Sequence, residues 1–350
     1  MSTVSAPTTR QGEPAVEVPV VEVTGLEVNY GTAGGKVLRA VNDISFSVAA
    51  GRTLGIVGES GSGKTTVVRA ILRIVDPPGE ISAGEVRYKG RDLLGLSERD
   101  MGTLRGDRIA MIFQDPSASL DPLQTIGAQF VATIRQHRGC GRAAARERAI
   151  EVLTAVGVPD PVATMRSYPM EFSAGMTQRI MIGLAISCDP DVILADEPTT
   201  GLGVVVQASI LAELQSLQER LGTALILITH DIGIVSYVAD DILVMYAGKC
   251  VEYGDKRSVL TGPLHPYTLG LMRSIPETDR DPGERLLAIP GFPPDISDLP
   301  PGCPFARRCD RAIDACETAN PELVELMPGH HVACHSPVPS TEAPHGEHAS

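Results

Sequence analysis

Apolar residues in this chain gather into short unbroken runs. Leu54-Gly55-Ile56-Val57 and Val192-Ile193-Leu194-Ala195 are of strand length and read as buried strands, and Ala224 to Thr229 reads as a third. After the first run the pattern changes: from Thr66 to Val75 apolar residues recur at helical spacing, which predicts a helix. No run is long enough to cross a membrane; the nearest, Ile180 to Ala195, is broken by Cys188-Asp189-Pro190-Asp191. Residues 1–20 lack the apolar core of a signal peptide and, like Pro337 to Ser350, read as disordered tails. The expectation is a cytosolic protein, with any membrane role supplied through a partner.

Composition narrows the class. A chain of 350 residues suggests about two domains, or one large core with an appendage, and 43% hydrophobic content suffices for a real interior. The 43 acidic against 30 basic residues give a formal charge of −13, a poor footprint for a phosphate backbone, so no nucleic-acid partner is expected. Seven cysteines in a reducing compartment are not expected to pair as disulfides. Cys140, Cys188 and Cys250 are scattered and read as inert buried thiols, whereas Cys303, Cys309, Cys316 and Cys334 cluster near the end.

Between the first strand and its helix lies Gly58-Glu59-Ser60-Gly61-Ser62-Gly63-Lys64-Thr65, which matches G-x-x-x-x-G-K-[ST] in the order strand, loop, helix. Glycines let successive N–H groups turn inward on phosphate oxygens, helped by the positive end of the following helix. Lys64 would neutralise β/γ-phosphate charge and the Thr65 hydroxyl would bind Mg²⁺. The run Val192 to Ala195 ends in the carboxylates Asp196 and Glu197, suited to holding Mg²⁺ through water and to polarising an attacking water. The third strand delivers His230, placed to contact the γ-phosphate or to serve as a structural hydrogen-bonding residue.

Two further segments make the pattern specific: Ile112-Phe113-Gln114-Asp115-Pro116, and Phe172-Ser173-Ala174-Gly175-Met176-Thr177-Gln178-Arg179. With them the chain, over about residues 21–260, resembles the ATP-binding subunit of an ATP-binding cassette (ABC) transporter. The resemblance implies an α/β fold: a RecA-like phosphate-loop core from about residues 21–113 and 188–260, with a helical subdomain inserted at about 115–187. It makes Gly58, Glu59, Ser60, Gly61, Ser62, Gly63, Lys64, Thr65 and Thr66 the phosphate-binding loop, and Tyr30 an adenine stacker. Thr65, Gln114 and Asp196 would serve Mg²⁺. Gln114 becomes the Q-loop glutamine, Glu197 the catalytic carboxylate and His230 the switch histidine. Ser173 and Gly175 belong to the signature, whose helix should begin near Ser173 and face ATP held by a second cassette.

Two departures stand out. Ala174 replaces a usual glycine, a mild change. Gly203, after Glu197-Pro198-Thr199-Thr200-Gly201-Leu202, replaces the D-loop aspartate. Both elements act across the dimer, so the expectation is a heterodimer with a distinct second cassette, in which the site on Lys64 and Glu197 is competent and the partner's is impaired.

The remaining segment holds Pro263-Leu264-His265-Pro266-Tyr267-Thr268, Ile289-Pro290-Gly291-Phe292-Pro293-Pro294 and cysteines spaced C-x5-C-x6-C-x17-C. These features narrow the resemblance to the ATPases of oligopeptide, dipeptide and nickel importers. They imply a C-terminal module over 261–336 with a [4Fe–4S] cluster on Cys303, Cys309, Cys316 and Cys334. Chemistry alone leaves zinc open, and His330, His331 and His335 beside Cys334 could substitute or simply be solvated. The resulting expectation is a peripheral ATPase at the cytoplasmic face of the membrane. It would drive import of peptides with two permease subunits and an extracytoplasmic solute-binding protein. The alternatives are import of nickel or another small solute, a soluble cassette ATPase, and an unrelated phosphate-loop kinase.

Overall fold

The computed structural model describes residues 18–32, 34–274 and 289–339. The two tails expected to be disordered, 1–20 and 337–350, lie mostly outside these residues, but the described part of each is built into the fold. Val20 is already buried within a strand that starts at Pro19. Val338 is buried too, its N–H donating to the Leu264 carbonyl at 2.8 Å.

Strands β1 (Pro19–Gly31), β2 (Val37–Ala49), β4 (Gly79–Tyr88) and β5 (Arg91–Asp92) form an antiparallel sheet in the order β2-β1-β4-β5. A second sheet holds the remaining strands: β3 (Thr53–Val57), β6 (Ile109–Ile112), β7 (Val192–Asp196), β8 (Ala224–Thr229), β9 (Asp241–Tyr246), β10 (Lys249–Asp255), β11 (Val324–Met327) and β12 (His330–Val332). Its order is β11-β12-β10-β9-β3-β8-β7-β6. The β9-β3-β8-β7-β6 stretch is parallel, and every residue of β3, β6, β7 and β8 is buried. Unbroken apolar runs are what a parallel sheet covered on both faces demands.

The expected helix over Thr66–Val75 starts earlier and stops sooner, at Lys64–Ile71. Arg73 adopts φ 52°, a left-handed conformation that ends the helical path, and the N–H of Ile74 folds back to the Arg69 carbonyl at 2.9 Å. Between β6 and β7 the chain passes through helices Ile126–Arg138, Arg142–Ala155 and Ala174–Ile186. They share a core of Phe130, Ile134, Val152, Leu153, Ile180 and Ile182. No helix among the described residues is long and apolar enough to cross a membrane.

The C-terminal segment is joined to the main sheet: β12 pairs antiparallel with β10, Glu252 opposite Val332, and β11 closes the edge. Its Phe305 shares a core with Val57, Tyr246 and Tyr267.

Candidate nucleotide site

Parallel register decides where the functional residues emerge. Val57 lies opposite Thr229, and Asp196 opposite Ile228, so β3, β7 and β8 end together at one edge of the sheet. The loop after β3, the carboxylates after β7 and His230 after β8 therefore leave the sheet side by side, at the carboxyl end of its strands, where open α/β sheets bind ligands.

The loop of residues 58–63 depends on its glycines. Gly63 stands at φ 100° at the helix N-terminus, and a Cβ there would come within 2.1 Å of the Ala40 carbonyl oxygen; at Gly58 it would meet that of Met245 at 2.2 Å. The loop is thus clamped against backbone on both sides, with the N–H groups of the helix start free for an anion. Lys64 is 4% exposed, and its ammonium donates to the carbonyls of Gly58 at 2.7 Å and Glu59 at 2.9 Å. Burial lowers its pKa, opposed by Glu197, Asp196 and Glu59.

Thr65 donates its hydroxyl to Asp196 Oδ1 at 2.9 Å. Burial of Asp196 raises its pKa, which the Thr65 hydrogen bond offsets in part. A buried hydroxyl–carboxylate pair of this kind suits Mg²⁺, which takes one or two protein oxygens and completes its shell with phosphate and water.

Glu197 follows at φ 45°, a left-handed conformation that is costly for a residue with a side chain. Its N–H is held by the Ile228 carbonyl at 2.9 Å. Three side chains surround its carboxylate: Gln114 Nε2 at 3.3 Å and Thr200 Oγ1 at 2.8 Å from Oε2, and His230 Nδ1 at 3.2 Å from Oε1. Gln114, Glu197 and His230, far apart in sequence, are thus brought together. Thr200 was not among the expected site residues; its only signal was its place three residues after Glu197. Gln114 bonds Glu197 rather than Thr65 or Asp196.

Other expected residues stand further off. Ser173 begins the helix Ala174–Ile186, although its hydroxyl does not cap it. Gly175 packs toward Val206, so the signature meets the helix that follows Gly203. The Tyr30 ring lies over Gly79 of the antiparallel sheet. Ser60 and Gly61 are exposed, Ser62 is buried, and Thr66 sits in the first turn of the helix.

The ABC transporter family matches residues 41–200, and the family described as oligopeptide/dipeptide transporter, C-terminal region, matches residues 251–316. The oligopeptide transport ATP-binding protein OppD of Salmonella typhimurium is 45% identical over 91% of this chain and 94% of its own length. The dipeptide transport ATP-binding protein DppD of Escherichia coli is 43% identical over 93% and 99%. The chain belongs to the ABC transporter ATP-binding proteins of this oligopeptide/dipeptide group. The dimeric ATP-binding cassette MJ0796, in a post-hydrolysis state with ADP and Pi, superposes at a TM-score of 0.61 with 26% identity, over 68% of this chain and 99% of that one. As an ABC ATPase, the chain binds and hydrolyses ATP.

The four C-terminal cysteines of this ABC protein are free of disulfides. Cys303 donates its N–H to the Cys316 carbonyl at 2.8 Å. Burial pushes up the thiols of Cys303, Cys309 and Cys334, the last to about 11, and neighbouring cysteine charges add to it. Cys303, Cys309, Cys316 and Cys334 are therefore near enough to one another to interact. Among the described residues, however, no group of three or more His, Cys, Asp or Glu is arranged to hold a metal ion. The cluster expected on Cys303, Cys309, Cys316 and Cys334 is therefore not supported by the arrangement of these residues. His330 is not solvated either: it is fully buried and bonded to Glu252. Cys140, expected to be buried, is half-buried.

Proposed function

We propose that this ABC ATPase powers import of peptides through a membrane permease, with oligopeptides and dipeptides as the substrate class. The observation that carries this is the near full-length likeness to oligopeptide and dipeptide transport ATP-binding proteins, extending into the C-terminal region particular to them. In this reading the N–H groups of residues 63–66 at the helix start and the Lys64 ammonium would hold the phosphates, Thr65 and Asp196 would hold Mg²⁺, and the metal would supply charge neutralisation at the phosphates. Glu197 takes the proton of the attacking water, and Gln114, Thr200 and His230 orient its carboxylate. The helical segment at about 115–187 forms the inserted subdomain, and Gln114 at its border links the site to permease loops. The ATPase sits peripherally at the cytoplasmic face.

The second cassette is proposed to be a distinct protein. Gly203 stands as the N-cap of the helix Val204–Leu221 with no side chain to cap it, and Val204 and Val205 beside it are 81% and 84% exposed. That surface, next to the signature, suits a partner whose own D-loop aspartate serves the site on Lys64 and Glu197, while the site on the partner's loop goes without one. ATP turnover of the co-purified complex should rise when peptide-loaded binding protein is added, and the preparation should contain two permeases and one non-identical cassette. Stimulation by nickel alone would refute the peptide assignment; absence of permeases would refute the transporter role.

The cysteine module is proposed to take up an iron–sulfur cluster on deprotonation, which would have to draw the four thiolates together from the arrangement seen. Their shared neighbourhood supports this. Anaerobically purified protein should contain iron and sulfide in equal amounts, with visible charge-transfer absorption. A colourless protein with one zinc, or with no metal, would overturn the cluster.

A further inference from the structure

Glu59, the second residue of the phosphate loop, is held from the far end of the chain. Its carboxylate receives both terminal nitrogens of Arg308, Nη1 at 2.7 Å and Nη2 at 2.9 Å. Its N–H donates to the Tyr267 hydroxyl at 2.8 Å, and its carbonyl accepts Lys64 Nζ at 2.9 Å. Side chain, backbone donor and backbone acceptor are all engaged, two of them by residues 208 and 249 positions away. The Arg308 side chain is only 6% exposed and that of Glu59 26%, so solvent screens this pair weakly.

Arg308 is itself fixed. Its Nε donates to the Pro290 carbonyl at 2.8 Å, and Nη1 also reaches the Tyr246 hydroxyl at 3.2 Å. The guanidinium lies 5.8 Å from the centre of the Tyr246 ring and 5.9 Å from that of Phe305. Tyr246 packs on Tyr267 at 4.7 Å and on Phe305 at 5.3 Å between ring centres. A fork-to-fork pair set in such a nest transmits geometry, because neither partner can shift without losing its other contacts.

We propose that Arg308 and Tyr267 are positioning residues of the nucleotide site, through which the C-terminal segment holds the phosphate loop in its ATP-binding shape. A phosphate cradle works only when successive N–H groups point inward together, and Gly61 and Gly63 leave the backbone on either side of Ser62 permissive. The clamp on Glu59 removes that freedom at the loop's entry. If releasing it drops the binding-competent population to about a tenth, apparent ATP affinity falls about tenfold. The proposal rests on the phosphate-loop assignment and is independent of which solute is transported.

The test is ATP titration of the full-length chain carrying Arg308→Met, Tyr267→Phe, Glu59→Gln, and the Arg308→Met/Glu59→Gln double substitution. Arg308→Met and Glu59→Gln should each weaken ATP binding about tenfold, and the double should be no weaker than either, since both break one contact. Tyr267→Phe should weaken it less. A merely structural role would lower the melting temperature and leave ATP affinity alone. Affinities within about twofold of the unaltered chain, or single effects that add in the double, would overturn the proposal. Should Arg308→Met fail to fold, Glu59→Gln and Tyr267→Phe, which conserve size and packing, decide the question alone. An unaltered chain that binds no ATP would overturn the loop assignment and the clamp together, whereas unchanged variants sink the clamp only.

Discussion

Glu197→Gln is expected to lower ATP turnover of the assembled complex by roughly 10²–10⁴-fold while leaving ATP affinity near that of the unaltered protein, the range typical of a lost general base. Two carboxylates stand at the end of β7, and their surroundings differ. Asp196 is buried and tied to Thr65, with burial favouring its neutral form until a cation arrives. That suits the metal-side role proposed for it. Glu197 faces the space between Gln114 and His230 and reaches it through a left-handed backbone that would be discarded were it not fixed by the Ile228 carbonyl. Glutamine preserves the size of the side chain and can still bond Thr200 through its amide oxygen, so the ring of neighbours survives. It cannot accept a proton. In the proposed function the phosphates rest on Lys64 and the loop, which the substitution does not touch. Steady-state phosphate release and equilibrium ATP binding, measured on the same preparation, check both halves. Turnover within a few-fold of normal would remove Glu197 from its assigned role, and lost ATP binding would mean that the substitution had disturbed the loop instead.

What could be read from the sequence divides along a physical line. The phosphate loop and the Asp196-Glu197 pair are contiguous, and glycine, lysine and carboxylate at fixed spacing carry their own chemistry, so they were legible residue by residue. The buried strands β3, β7 and β8 were legible as well, since a parallel interior strand is apolar throughout. The helix end at Ile71 was not, because apolar Ile74 and Val75 keep the helical spacing while Arg73 turns the backbone out of it. Nor was the place of the C-terminal segment. The family resemblance implied a C-terminal cysteine module over 261–336 but not its attachment: the segment is built in by strand pairing with β10 and by contacts spanning more than 200 residues, as between Arg308 and Glu59. Nothing local marks Arg308, one of two adjacent arginines, as the one that turns inward. Thr200 and His330 were hidden for the same reason: their partners, Glu197 and Glu252, are set by the fold.

Glu252→Ala should loosen the C-terminal segment from the sheet at a cost of several kcal/mol, at about 1–3 kcal/mol for each buried donor left without a partner. Glu252 is completely buried in β10 and accepts three hydrogen bonds: from the N–H groups of Leu264 at 2.7 Å and His265 at 2.9 Å, and from His330 Nε2 at 2.8 Å. The first two anchor the turn into the helix Pro266–Arg273, whose Tyr267 reaches the phosphate loop; the third anchors β12. Alanine would leave two N–H groups and a fully buried imidazole without partners in an apolar setting, and His330 Nδ1 already has none. Glu252→Gln should cost less, because one amide oxygen can still accept, yet its NH₂ must then face donors and cannot restore all three bonds. The effect is local by construction: β3, β7 and β8 make none of these contacts. Amide hydrogen exchange should therefore rise across residues 252–273 and 324–338 in Glu252→Ala and stay slow in β3, β7 and β8. Uniform protection in both regions would show that the segment is held by its apolar contacts with Val57 and Tyr246, and that the buried carboxylate contributes little to its attachment.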